Sequence, residues 1–218
     1  MGVAVAVTLT GCGDDDGGGF ADESAADIIK ASSADMEKLT SVHLDADITS
    51  EGSAITMALS LDTDGNCVGT VGIGGGSAEI IGIGDQSWYK ADEAFWQAQA
   101  GEQAEQIIGI VGDSWVVDPD GQFSSFCDLD GLLDDIGDPE GVDDATTDGT
   151  EDVDGEEAVK IVGDDDGSET TAYVAVDDPH YILKVVVTGD DEGEATFSEF
   201  DEDVEVEAPA DDEVVTLQ

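Results

Sequence analysis

The chain has 218 residues, with 55 Asp and Glu against 5 basic residues, a formal charge of −50. The basic residues are all lysines (Lys30, Lys38, Lys90, Lys160, Lys184). This balance excludes nucleic-acid binding, which needs a basic patch for phosphate contacts, and adsorption to anionic headgroups through a polybasic surface. No run reaches the ~20 apolar residues of a spanning helix, which excludes a polytopic membrane protein.

High net charge is also a mark of disorder. Here hydrophobic residues make up 40% and glycine 28 of 218, which together reach the range of folded domains. The expectation is a folded domain with its acids outside. Self-repulsion opposes its compaction. Salt relieves that repulsion, because the Debye length falls from ~10 Å at 0.1 M to ~3 Å at 1 M. The composition therefore points to an acidic, halophilic protein that folds best in concentrated salt.

In chain order, residues 3–10 form a short apolar run that ends in Leu9-Thr10-Gly11-Cys12 and gives way to Gly13-Asp-Asp-Asp-Gly-Gly-Gly19. A short apolar core, small residues and a sudden polar change are secretory features. Leu9, Thr10, Gly11 and Cys12 resemble the bacterial lipobox at all four positions. The resemblance implies that residues 1–11 are a signal peptide and that Cys12 becomes the acylated N-terminus, its sulfur carrying a diacylglycerol of palmitate-class chains. Two or more chains anchor a protein stably where one is marginal. No basic residue precedes Cys12, so the true start is expected upstream of Met1. The alternative is a buried strand ending in a core thiol, but strands are not usually followed by aspartates and then glycines. Residues 12–21 read as the lipidated cysteine and a flexible acidic linker, and 22–218 as a single domain.

With Cys12 assigned to lipid, Cys67 and Cys127 remain. An even remainder in an exported chain suggests a disulfide; two separate buried thiols are the alternative. His43 and His180 lack ligand spacing with them, so no metal and no cofactor is expected.

Residues 22–39 carry a helical stripe of Ala25, Ile28, Ile29, Ser32 and Met36. Short β-like runs follow at Val42–Thr49, Ser53–Leu61, Cys67–Ile73, Ala78–Ile83 and Ser87–Lys90, parted by glycine or acidic turns. One or two helices are expected over 92–111, a short strand at Trp115–Val117, and a helical region over 123–136. Residues 138–154 read as an inserted acidic loop. Strands resume at Glu157–Val162, Thr170–Val176, Tyr181–Thr188, Glu194–Phe200 and Val204–Glu207. The architecture expected is α+β: a curved antiparallel sheet, a half-barrel, with helices on its concave face.

The segments Ser87–Trp96, Asp113–Val117 and Ala172–Val185, in this element order, resemble actinobacterial envelope lipoproteins of the LppX/LprG/LprF type and their looser LolA-like relatives. The resemblance covers most of 22–208. It implies a half-barrel whose roofed concave face holds lipid acyl chains, on a protein lipid-anchored to the extracytoplasmic face of the cell membrane. No lipid-binding motif carries over beyond the lipobox, and the glycine-rich strands and large negative charge depart from the lipid carriers.

Signs of catalysis are weak. Gly72-Ile-Gly-Gly-Gly-Ser77 joins two strands and lacks the last glycine of a dinucleotide loop. Asp62-Thr-Asp-Gly65 and Asp152-Val-Asp-Gly155 lack the frame of calcium loops and read as solvated turns; weak calcium binding is the alternative. No serine has a histidine partner in a recognisable frame, so no enzyme is expected. Trp88, Tyr89, Phe95, Trp96 and Trp115 read either as the wall of a hydrophobic pocket or as ordinary core. The reading overall is a monomeric, membrane-anchored lipoprotein that binds or carries a hydrophobic or lipid ligand. Its alternative is a non-enzymatic envelope assembly protein that docks a partner.

Overall fold

The computed structural model describes residues 19–50, 52–118, 121, 123–137, 144–165, 168–189 and 192–217. Cys12, the lipobox residues Leu9, Thr10 and Gly11, and the segment before Gly19 lie outside the described residues.

Helix α1 (Ala25–Met36) starts at Ser24, whose hydroxyl accepts from Asp27 N at 3.2 Å, an N-cap that satisfies one of the free amides of the first turn. Its buried stripe is Ala25, Ile28, Ser32 and Met36. A meander follows: β1 (Ser41–Ser50), β2 (Ser53–Asp62), β3 (Cys67–Ile73), β4 (Gly76–Ile83) and β5 (Gln86–Ala91). Then come α2 (Glu93–Ala100), α3 (Ala104–Val111), β6 (Trp115–Val117), a 3-10 turn (Ser124–Cys127) and α4 (Leu129–Gly137). A second meander closes the chain: β7 (Thr146–Val153), β8 (Glu156–Asp165), β9 (Ser168–Ala175), β10 (Ile182–Thr188) and β11 (Glu192–Ser198), with a short β12 (Val214–Val215).

All the strands join one curved, unclosed sheet in the order β12-β6-β5-β4-β3-β2-β1-β11-β10-β9-β8-β7. The two meanders meet where β11 pairs antiparallel with β1; β12 runs parallel to β6. The fold is α+β, a half-barrel with helices on its inner face, as the sequence led us to expect.

Three details differ from the sequence reading. The acidic stretch 138–154 contains strand β7, which pairs with β8. Its side chains are almost all exposed, so it shows no apolar alternation; backbone pairing across the Asp154-Gly155 turn makes it an edge strand. Val204–Glu207 forms no strand among the described residues. Its first half, Val204 and Glu205, lies against the outer face beside His43, Ser60 and Val68, and Val204 and Val206 are half-buried while Glu205 and Glu207 are exposed. Finally, β12 was not foreseen, because two valines carry no periodicity.

The register stacks side chains in rows across the sheet. A middle row on the inner face reads Ile161, Ala172, Val185, Ala195, Ala46, Met57, Val71, Ala78, Ala91 over nine strands. A deeper row contains Phe197, Leu44, Leu59, Ile80 and Tyr89. Helices α2, α3 and α4 pack on these rows in one hydrophobic core, and α1 covers Val159, Ile161 and Val174 beside it.

Candidate functional site

The inner face is largely apolar, and its coverage is graded. In the deep row Leu59 is 1% exposed and Ile80 is fully buried. Toward the other end of the strands runs a rim row of Val187, Gly193, Ile48, Ile55 and Ile73, each only partly buried. From the helical side, Ile107 and Ile108 of α3 and Leu132 of α4 are partly buried against the same core, as are Met57 and Val185 of the sheet. Ile110 of α3 is 60% exposed. The middle row supplies five alanines, of which Ala46 and Ala78 are buried in the core that the helices share. The concave face is a gutter in form: an apolar floor packed under the helices and a rim row that is only partly buried.

The helical roof is tied down at two places. The 3-10 turn is bound to the sheet by the Cys67–Cys127 disulfide, whose Cα atoms are 5.4 Å apart. Helix α2 starts directly above Gly76, where a β-carbon would come within 2.0 Å of Phe95 N. Only glycine allows the helix to approach the sheet this closely. Asp92 caps α2 by accepting from Phe95 N at 2.7 Å.

The five aromatics singled out in the sequence separate into two groups. Tyr89, Phe95 and Trp96 come together with Phe123 and Phe126, with ring centroids 4.5–6.3 Å apart. Phe95, Trp96 and Phe123 are buried, so this cluster is filled core at one end of the gutter. Burial holds the Tyr89 phenol above its ordinary pKa, with Asp118 adding to the effect. Trp88 and Trp115 fall on the opposite parity of β5 and β6 from Tyr89 and Val116, and are partly exposed on the other side. Phe123 and Phe126 were missed as site residues. Their proximity to Cys127 was the available signal, since a bond from Cys127 to Cys67 draws that turn onto the inner face.

The outer face is polar. A cavity of about 350 Å³ opens over β11, β1, β2 and β3, with Asp45, Asp47 and Glu194 beside Thr56, Thr70 and Thr196. A smaller one of about 130 Å³ lies under the C-terminal segment, next to Ser41, His43 and Ser60. His43 Nδ1 is 2.8 Å from Ser60 Oγ, and Nε2 is 3.2 Å from Asp45 Oδ2. Sequence reasoning found no histidine partner for a serine; the pairing of His43 opposite Ser60 across β1 and β2 provides one. The backbone of β2 around Ser60 is paired on both sides, so that strand offers no free amide beside the hydroxyl to hold an oxyanion. Among the described residues no group of three His, Cys, Asp or Glu is placed to hold a metal ion, and no helix is long and apolar enough to cross a membrane.

The fold is that of lipoproteins of the LppX and LprF type. The crystal structure of LprF from Mycobacterium bovis superposes with a TM-score of 0.61, covering 85% of this chain and 97% of that one at 16% identity. The Mycobacterium tuberculosis lipoprotein LppX gives a TM-score of 0.57, covering 84% and 98% at 17% identity. No protein-family model matches the sequence, and no curated protein matches it.

Proposed function

We propose that this chain is an envelope lipoprotein that binds a hydrophobic or lipid ligand between the concave sheet face and its helices. The observation that carries the reading is the rim row of half-buried Val187, Ile48, Ile55 and Ile73, two of which, Ile48 and Ile73, pack against the same core as Ile107 and Ile108 of α3. Burying such surface is worth about 25 cal/mol per Å², so an alkyl chain laid along the lip gains where water now sits. The protein acts by enclosure and needs neither cofactor nor metal. The LppX/LprF-type fold supports the reading.

In this reading residues 1–11 are a signal peptide, Cys12 carries the lipid anchor on the extracytoplasmic face of the cell membrane, and the stretch up to residue 21 tethers a monomeric domain spanning 22–218. Native mass spectrometry and organic extraction of the purified chain test the ligand. A bound lipid at near one-to-one ratio is the expected result, and a lipid-free protein that takes up no alkyl probe refutes it. Fractionation of Cys12→Ala tests the anchor: the variant is expected in the soluble fraction, and an unchanged distribution refutes acylation.

A second reading, docking of a protein partner, is favoured by Ile110, which stands 60% exposed on α3. Ile110→Asp distinguishes the two. It abolishes partner capture under this reading and leaves lipid content unaltered under the first.

A further inference from the structure

Among the described residues three serine side chains are buried: Ser32, Ser41 and Ser87. Two of them are satisfied. Ser41 donates to the Glu202 carbonyl at 2.6 Å, and Ser87 to Asp118 Oδ2 at 3.2 Å. Ser32 is 1% exposed, and its Oγ has no hydrogen-bond partner among the described residues. It does not turn back onto the carbonyl one turn before it, the bond a helical serine ordinarily makes. Burying a hydroxyl unpaired is destabilising. Alanine at the same place would avoid that cost and favour the helix more. The fold by itself therefore gives no reason for a serine here.

Its surroundings are apolar. Ile28, Ser32 and Met36 follow one another at four-residue spacing along the buried stripe of α1, so they lie on one face. Ile28 belongs to the cluster with Val159, Ile161 and Val174, and Met36 to the main core. Ser32 thus falls at the seam between two clusters, and the partly buried Ile182 packs against both.

We infer that the Ser32 hydroxyl is the polar contact for the bound ligand, donating to a neutral carbonyl oxygen such as that of an acyl ester. This inference rests on the lipid-binding reading above and specifies the ligand class. A plain alkyl chain would leave the hydroxyl unpaired. A carboxylate would lose more by leaving water than one hydroxyl returns. An ester carbonyl accepts the bond without carrying a charge inside, and its alkyl chain is left to the apolar inner face. The Ser32 oxygen is closed to solvent, so the ligand enters by parting α1 from the sheet along the seam.

The test titrates the full chain with fluorescent diacylglycerol and with its dialkyl ether analogue, matched in chains and fluorophore. The ester is expected to bind the unaltered chain about fivefold tighter. Ser32→Ala is expected to bind both probes equally, with the affinity the unaltered chain has for the ether. The ligand-free Ser32→Ala protein is expected to melt at the same or a higher temperature, because no bond within the fold is lost. A lower melting temperature overturns the inference, since the hydroxyl then bonds within the protein. An ester preference that is absent, or that survives in Ser32→Ala, also overturns it and leaves the apolar site standing. Binding of neither probe overturns both.

Discussion

A β-carbon placed on Gly82 would lie 2.9 Å from the sulfur of Cys127. The same carbon would lie 3.2 Å from Cys67 Sγ, so the glycine makes the room in which the disulfide joins the helical roof to the sheet. Gly82→Ala should therefore cost about 1–3 kcal/mol through overpacking. In a Cys67→Ser, Cys127→Ser background, where oxygens replace the linked sulfurs, the penalty should shrink. Thermal melts of the four variants check this; an equal penalty in both backgrounds would mean that the disulfide is not what the glycine accommodates.

The disulfide closes a loop with a sequence separation of 60. Loop-closure entropy assigns such a link roughly 4 kcal/mol, a large share of a domain's stability. Denaturant unfolding with and without reductant measures it. The reduced protein should unfold at clearly lower denaturant; unchanged midpoints would contradict the assignment.

Phe123 is 3% exposed and its ring meets Tyr89, Phe95 and Phe126. Phe123→Ala should cost about 3–5 kcal/mol, and Trp88→Ala and Trp115→Ala less, since both rings are partly exposed on the other side of the sheet. Equal losses for the three would contradict the separation of the aromatics into two groups.

That separation shows what the sequence could and could not say. Alternation along β1 to β5 was legible because one face is buried and the other wet, so the pleat writes itself into Val42, Leu44 and Ala46 against Asp45 and Asp47. Proximity of Trp88 and Tyr89 in the chain suggested a shared pocket, yet adjacent strand residues point to opposite faces. Strand β7 was hidden because an exposed edge needs only backbone partners. The rim row was hidden because it exists only once β11 pairs with β1, bringing Val187 and Gly193 into line with Ile48; no local pattern encodes that long-range choice. The lipobox was legible as a motif, but the anchor it implies is a covalent modification on residues outside those described.

Tyr181 donates to Asp201 Oδ2 at 2.9 Å, while Asp201 Oδ1 accepts from Thr40 N at 2.8 Å. Burial, then the Asp201 hydrogen bond, pushes the Tyr181 phenol up to about 12. Its raised pKa gives stability that is full below pH 10 and lost as pH rises toward 12. The backbone hydrogen bond from Thr40 leads in holding Asp201 below the usual carboxylate range. That contribution is present above pH 3.8 and lost as pH falls further. Melting temperature against pH should show both flanks. Tyr181→Phe should flatten the alkaline one and Asp201→Asn the acid one; profiles parallel to the unaltered protein's would contradict the linkage.

The charge of −50 predicts that the melting temperature rises with added KCl or NaCl as repulsion among exposed acids is screened. A flat or falling dependence between about 0.1 and 2 M salt would remove the halophilic reading.

The most direct measurement of the central claim places a spin-labelled diacylglycerol on the protein and reads methyl NMR line widths. Ile48, Ile55 and Ile73 project from the inner face, and Thr56, Thr70 and Thr196 from the outer. Ligand held in the gutter should broaden the three isoleucine methyls and spare the three threonine methyls. Broadening of the threonines instead, or of neither set, would contradict the proposal that this sheet encloses a lipid on its concave side.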